Sequence, residues 1–120
     1  MLELELIGVQ TETILNVEKL ISISGANTGI FSSTTPDSSG NAGDIIIDPE
    51  RVEINNGAAI SVDSQGSGIG GNISIEADQL RLDNGRISAQ TVSTDGGNIN
   101  LSLSDLLLLR RGSQISTLKL

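Results

Sequence analysis

Apolar positions along this chain come in short alternating bursts. Ile45 and Ile47 share one face of an extended segment, as do Val52 and Ile54, and Ile60 and Val62. That is the period-two pattern of a half-buried strand. No sustained helical spacing interrupts it in the regular part of the sequence. The bursts then recur. Gly43-Asp-Ile-Ile-Ile, Gly71-Asn-Ile-Ser-Ile and Gly97-Asn-Ile-Asn-Leu form one column, and Val52-Glu-Ile-Asn-Asn-Gly57, Leu80-Arg-Leu-Asp-Asn-Gly85 and Leu107-Leu-Leu-Arg-Arg-Gly112 a second. Ile60-Ser-Val, Ile87-Ser-Ala and Ile115-Ser-Thr form a third.

The columns repeat with a period of about 27 residues, within the range of stacked repeat architectures. Gly57 and Gly85 are 28 apart, Gly85 and Gly112 are 27 apart, and Gly71 and Gly97 are 26 apart. The drift falls in the connections 64–70 and 93–96, where length costs little. A repeat of this length cannot bury its apolar face alone and must stack on its neighbours. Asn56-Gly57 and Asn84-Gly85 supply residues that tolerate positive φ at a turn. Asn-Gly between alternating runs also signals an antiparallel hairpin, and a β-sandwich is the rival fold. A meander gives no reason for a three-strand unit to recur in register; a coil does. The fold class predicted is all-β: a right-handed single-stranded parallel β-helix, a solenoid with three short strands per turn. Its handedness follows from the crossover rule for parallel strands.

The inward set can be named. Ile45, Ile47, Ile73, Ile75, Ile99 and Leu101 should point inward from the first column. Val52, Ile54, Leu80, Leu82, Leu107 and Leu109 should do so from the second, and Ile60, Val62, Ile87, Ala89 and Ile115 from the third. Ladder partners should be offset by 26–28 in residue number. Gly57 and Gly85 should have positive φ or follow an Asn that does. Residues 1–120 make one repeat segment, with 1–42 an irregular first turn and 43–70, 71–96 and 97–120 regular turns. Within 1–42, Phe31 is aligned with Ile60, and Ser32 with Ser61, Ser88 and Ser116. About four turns make a short solenoid, and the sequence reads as part of a longer one.

Composition supports a narrow coil. There are 14 Gly, one Phe and no Trp, Tyr, His or Cys. A globular core normally uses aromatic rings, whereas a thin coil is filled by stacked Ile, Leu and Val. The net charge of −8 without a basic cluster argues against nucleic acid and anionic membranes as partners. The longest apolar run, Leu106–Leu109, is far too short to span a membrane, and Met1-Leu-Glu-Leu-Glu lacks the pattern of a signal peptide.

Residues 29–116 resemble the repeat region of filamentous-haemagglutinin-type exoproteins of Gram-negative bacteria. The phrases that carry the likeness are Gly29-Ile-Phe-Ser-Ser-Thr-Thr, Gly40-Asn-Ala-Gly-Asp-Ile, Asn56-Gly-Ala-Ala-Ile-Ser and Leu107-Leu-Leu-Arg-Arg-Gly-Ser-Gln-Ile-Ser-Thr. The resemblance implies a parallel β-helix, two-partner secretion to the cell surface or medium, and a role in adhesion. Implied partners are adjacent coils of a longer protein and a surface glycan or protein receptor.

Candidate chemistry is sparse. Parallel β-helices also carry polysaccharide lyases and hydrolases, which makes a carbohydrate-active protein the alternative function; a vestigial gene fragment is another. Glu53 lies over Arg81 and Asp83 over Arg110, a pattern that opposite-charge pairing between coils explains. The loop Gly66-Ser-Gly-Ile-Gly-Gly is similar to calcium-binding β-rolls but lacks their regularly placed Asp; it reads as flexible turns. Thr34, Thr35, Thr91, Thr94 and Thr117 form no register for a flat ice-binding face. Ser32, Ser61, Ser88 and Ser116 read as an outward ladder, and Asn72, Asn98, Asn56 and Asn84 as stacked amides. No residue is assigned a catalytic, cofactor-binding or metal-ligating role. Leu106 and Leu108 should face outward beside an open final turn, which predicts self-association through the C-terminal end. The competing arrangement is a local cap of Leu118 and Leu120 over them.

Overall fold

In a computed structural model the protein is a coil of parallel strands. The structure describes residues 3–7, 12–15, 19–92 and 95–119. In sequence order the strands are β1 (Glu3–Ile7), β2 (Glu12–Leu15), β3 (Leu20–Ser24), β4 (Gly29–Thr34), β5 (Asp44–Ile47) and β6 (Arg51–Asn55). There follow β7 (Ala59–Ser64), β8 (Ile73–Asp83), β9 (Arg86–Thr91), β10 (Ile99–Arg110) and β11 (Gln114–Lys119). No helix occurs among the described residues. One sheet runs β1-β4-β7-β9-β11, built wholly from the third column. The other joins β2, β3, β5, β6, β8 and β10 and carries the first two columns. Every pairing among the described strands is parallel, which rules out the hairpin alternative.

Like residues stack on like. Val52 faces Leu80, which faces Leu107; Ile54 faces Leu82, which faces Leu109; Ile60 lies between Ile30 and Ile87. In residue number the step is 28 from Ile45 to Ile73, 27 from Ile60 to Ile87 and 26 from Ile73 to Ile99. Against the first full coil it lengthens. Ile21 pairs with Val52, an offset of 31, and Ile30 with Ile60, an offset of 30. The 26–28 expectation fails there because added residues sit in connections, where coils tolerate them. Within 1–42 the strands nevertheless keep the same three columns.

The longer step overturns the alignment of Phe31. Ile30, not Phe31, occupies the Ile60 position, and Ser32 stands opposite Val62. A slip of one residue exchanges the two faces of a strand. Ser32 is therefore buried, its hydroxyl donating to the Gly43 carbonyl at 3.3 Å. Phe31 takes the half-buried outer place in the row of Ser61, Ser88 and Ser116.

The first two columns are separate strands only in the earlier coils. Asp48-Pro49-Glu50 divides β5 from β6, and Pro49 has no N–H to offer a ladder. One coil later Glu76-Ala77-Asp78 carries donors throughout, and β8 runs unbroken around the corner. Glu50 O accepts from both Asp78 N and Gln79 N, at 2.8 and 3.1 Å. In β10 the corner gains one residue: Ser104 and Asp105 face the single Asp78 as a bulge.

The core is the stack of inward columns. Ile45, Ile47, Val52, Ile54, Ile60, Val62, Ile73, Ile75, Leu80, Leu82, Ile87 and Ala89 are buried as predicted, and each large aliphatic burial contributes about 1.5–3 kcal/mol. The last coil departs from this. Ile99, Leu101 and Ile115 are only partly buried, and Leu107 and Leu109 are 45% and 40% exposed. Their register is inward, opposite Leu80 and Leu82. Among the described strands no coil pairs with β10 on its far side.

The interior also holds a hydroxyl column that the sequence pattern did not reveal. Thr34, Ser64 and Thr91 occupy one register and are all buried. Thr34 Oγ1 accepts from Gly66 N at 3.2 Å, and Ser64 Oγ from Gly71 N at 3.1 Å. These hydroxyls satisfy backbone donors where the backbone leaves the third column.

Candidate functional surfaces

The corner after the second column is set by left-handed residues. Asn56 has φ 56° and Gly57 89°, Asn84 57°, and Arg111 and Gly112 51° and 75°. The turn expectation holds, but for Gly85 through its preceding Asn alone. Gly85 has a different requirement. A Cβ there would stand 2.4 Å from the Ile54 carbonyl oxygen of the coil before. Its glycine is needed for close approach, not for φ.

The glycine-rich loop 66–71 packs closely on the loop of the coil before it. Ser67 N donates to Ser38 O and Ile69 N to Asn41 Oδ1, both at 2.9 Å. A Cβ on Gly68 would lie 2.3 Å from Gly40 O. Loop lies on loop, backbone to backbone. No group of three or more Asp, Glu, His or Cys suited to a metal ion occurs among the described residues.

Amides and carboxylates stack where the first column begins. Asn72 N donates to Asp44 Oδ1 at 2.8 Å, and Asn98 N to Asn72 Oδ1 at 3.0 Å. Each side-chain oxygen thus holds the next coil's backbone. Asn56 Nδ2 donates to Ser24 Oγ at 2.8 Å. On the outer face of the third column, Ser61 and Ser88 share a hydrogen bond at 3.1 Å.

The surface charges are in the predicted register, Glu53 opposite Arg81 and Asp83 opposite Arg110. The ion pairs form elsewhere. Glu53 meets Arg51 on its own strand at 3.7 Å. Asp83 takes both ends of the Arg111 guanidinium, with Nε donating to Oδ1 at 2.5 Å and Nη2 to Oδ2. The left-handed turn at Arg111 directs its guanidinium back over Asp83, a reach that strand register alone does not reveal. The hydrogen bonds from Arg111 hold the Asp83 carboxyl below its ordinary range, against a smaller opposing effect of desolvation; the charges of Arg111 and Arg110 add to the lowering.

A concavity follows the corner between the first two columns. It is a groove of about 520 Å³ lined by Asp48, Glu50, Glu76, Asp78, Ser102 and Ser104, together with Pro49, Ala77 and Leu103. Ser104 Oγ donates to Asp78 Oδ1 at 2.7 Å, and Gln79 Nε2 to Asp105 Oδ2 at 2.8 Å. Sequence reasoning did not find this groove, because its lining comes from three coils and meets only through the stacking.

The remaining surface is the open end. β10 and β11 each pair on one side only among the described strands. Leu106 and Leu108 lie opposite Gln79 and Arg81, on the outward register as expected, and are half-buried. The bare leucines are instead Leu107 and Leu109. Leu118 stays in β11 opposite Gln90 and is 50% exposed; Thr94 and Leu120 lie outside the described residues. No helix of the described residues is long and apolar enough to cross a membrane. No protein-family model, curated protein or solved structure matches the chain.

Proposed function

We propose that this protein is a non-enzymatic structural segment of a secreted or cell-surface filamentous adhesin, of the filamentous-haemagglutinin type whose repeat phrases it resembles. The observation that supports the reading is the uninterrupted parallel stacking of three residue columns through every described coil. A stack of this kind is stiff along its axis and displays loops and polar ladders at its sides. Its mechanism is architectural: the coil sets the spacing of surface features, and a receptor, glycan or protein, reads them. The test is adhesion. The purified protein, immobilised on beads, should bind epithelial or bacterial surfaces or members of a glycan array. Binding no greater than that of a scrambled-loop variant with the same strands overturns the reading.

The open end fits a role as one segment among coils. In a longer protein a following coil would cover Leu107 and Leu109 by pairing with β10. The isolated segment self-associates there instead. A head-to-tail stack of copies would set β1, a third-column strand, over β11 and leave the first two columns a strand short. A two-fold pair through β10 and β11 leaves no such gap. Sedimentation velocity of the wild type should show concentration-dependent dimers that Leu107→Ser/Leu109→Ser abolishes. A wild type monomeric at all concentrations refutes this.

A second reading, a carbohydrate-active coil, is favoured by the acidic groove at the Ala77 corner. Turnover of an acidic polysaccharide that is lost in Glu76→Gln/Asp78→Asn would put that reading first.

A further inference from the structure

The two Asn-Gly dipeptides occupy the same corner in successive coils, but their surroundings differ. At Asn56-Gly57 the Gly57 N–H donates to the Asn84 carbonyl at 2.6 Å, and the Asn56 side chain is held by Ser24. At Asn84-Gly85 the Gly85 N–H donates to the Ser113 hydroxyl at 3.1 Å. The Asn84 side chain is exposed and has no hydrogen-bond partner among the described residues. Ser113 lies between β10 and β11, in a coil that is paired on one side only among the described strands.

We infer that Asn84 is a site of spontaneous deamidation gated by fraying of the last coil, and that Asn56 is protected. The chemistry needs no cofactor. The Gly85 amide nitrogen attacks Cγ of Asn84, forming a new C–N bond. The bond from Cγ to Nδ2 breaks, and Nδ2 leaves as ammonia, taking up the proton lost from Gly85 N. Water then opens the five-membered imide at either carbonyl, giving aspartate or isoaspartate.

Attack requires that the glycine N–H leave its acceptor. For Gly85 this takes only release of one side-chain hydroxyl, Ser113 Oγ, by a coil stacked on one side among the described strands, a local opening that costs less than parting two coils. For Gly57 it takes separation of two coils that are each stacked on both sides. Asn84 therefore reacts first. Isoaspartate adds a carbon to the backbone at a corner where Asn84 N meets Arg110 O at 3.0 Å and Asn84 O meets Gly57 N. The modified corner no longer superposes on its neighbours, and the last coil is released irreversibly.

The experiment incubates the folded protein, diluted to where sedimentation shows a monomer so that no partner copy covers β10 and β11, in mildly alkaline buffer below its unfolding transition and follows aspartate and isoaspartate at both positions by peptide mapping. The protein in concentrated urea is the reference, in which both dipeptides should react at similar rates. In the folded state Asn84 should react at least about five-fold faster than Asn56, the ratio that corresponds to one net hydrogen bond of about 1 kcal/mol. Ser113→Ala should accelerate Asn84 further and leave Asn56 unchanged, with circular dichroism confirming the fold. Equal rates in the folded state, Asn56 reacting first, or no response of Asn84 to Ser113→Ala would each overturn the proposal.

Discussion

Adding one methyl group at residue 85 separates two explanations of a turn glycine. Gly85 follows a left-handed Asn84, and from the dipeptide alone its role would be conformational freedom. The structure assigns it a contact: its Cβ would lie 2.4 Å from Ile54 O and 2.9 Å from Ile54 Cγ2. A saturated carbon in a C–H···O contact sits about 3.3–3.6 Å from a carbonyl oxygen, so the corner must shift outward by a substantial fraction of an ångström. Ile54 is fully buried and Gly85 O accepts from Gln114 N at 3.1 Å, so the shift strains the core and the next coil together. Overpacking of this kind costs about 1–3 kcal/mol, and Gly85→Val should lie at the upper end or beyond. Urea unfolding followed by circular dichroism measures it as a lowered midpoint with unchanged slope. The deciding variant is Gly85→Asn. Asparagine is the side chain that best tolerates left-handed backbone, yet it has the same Cβ as alanine. Contact predicts that Gly85→Asn is as damaging as Gly85→Ala. Rescue by asparagine would refute the steric account and restore the conformational one.

The same geometry fixes three other outcomes. Ile60→Ala, at a fully buried site, should cost about 2–5 kcal/mol, while Leu109→Ala in the open last coil should cost much less in the same urea titration; equal losses would mean the end is covered. Ser64→Ala removes the acceptor of Gly71 N and leaves a buried donor unpaired, for about 1–3 kcal/mol, measured as a shift in unfolding midpoint. Asp83 has a lowered pKa in the folded state, so its stabilising contribution is present above the unfolded carboxylate pKa and is lost as pH falls through the folded value. Asp83→Asn should flatten that acid limb of the stability–pH curve, and an unchanged limb would show that solvent screens the pair.

The coil was legible in the sequence because its code is redundant. Alternation names the inward face of each strand, and recurrence at a fixed period names the partner one coil on. Ile45, Val52, Ile60 and their copies in the next coil each satisfy both tests, and each is buried. Where recurrence weakened, alternation alone was insufficient: an offset of 30 rather than 29 exchanged Phe31 and Ser32 between faces. The inward Thr34–Ser64–Thr91 column was hidden because hydroxyls usually mark an outer face, and only the Gly66 and Gly71 donors explain the burial of Thr34 and Ser64. The carboxylates of the Ala77 groove and the Arg111–Asp83 pair depend on how coils are superposed and on where a left-handed turn directs a side chain. Gly85 needs the Ile54 carbonyl of another coil before its meaning appears. Local pattern fixes what each residue prefers within its own strand, whereas contacts along the stack depend on a coil step that varies with connection length, and that step is settled only when the coils pack.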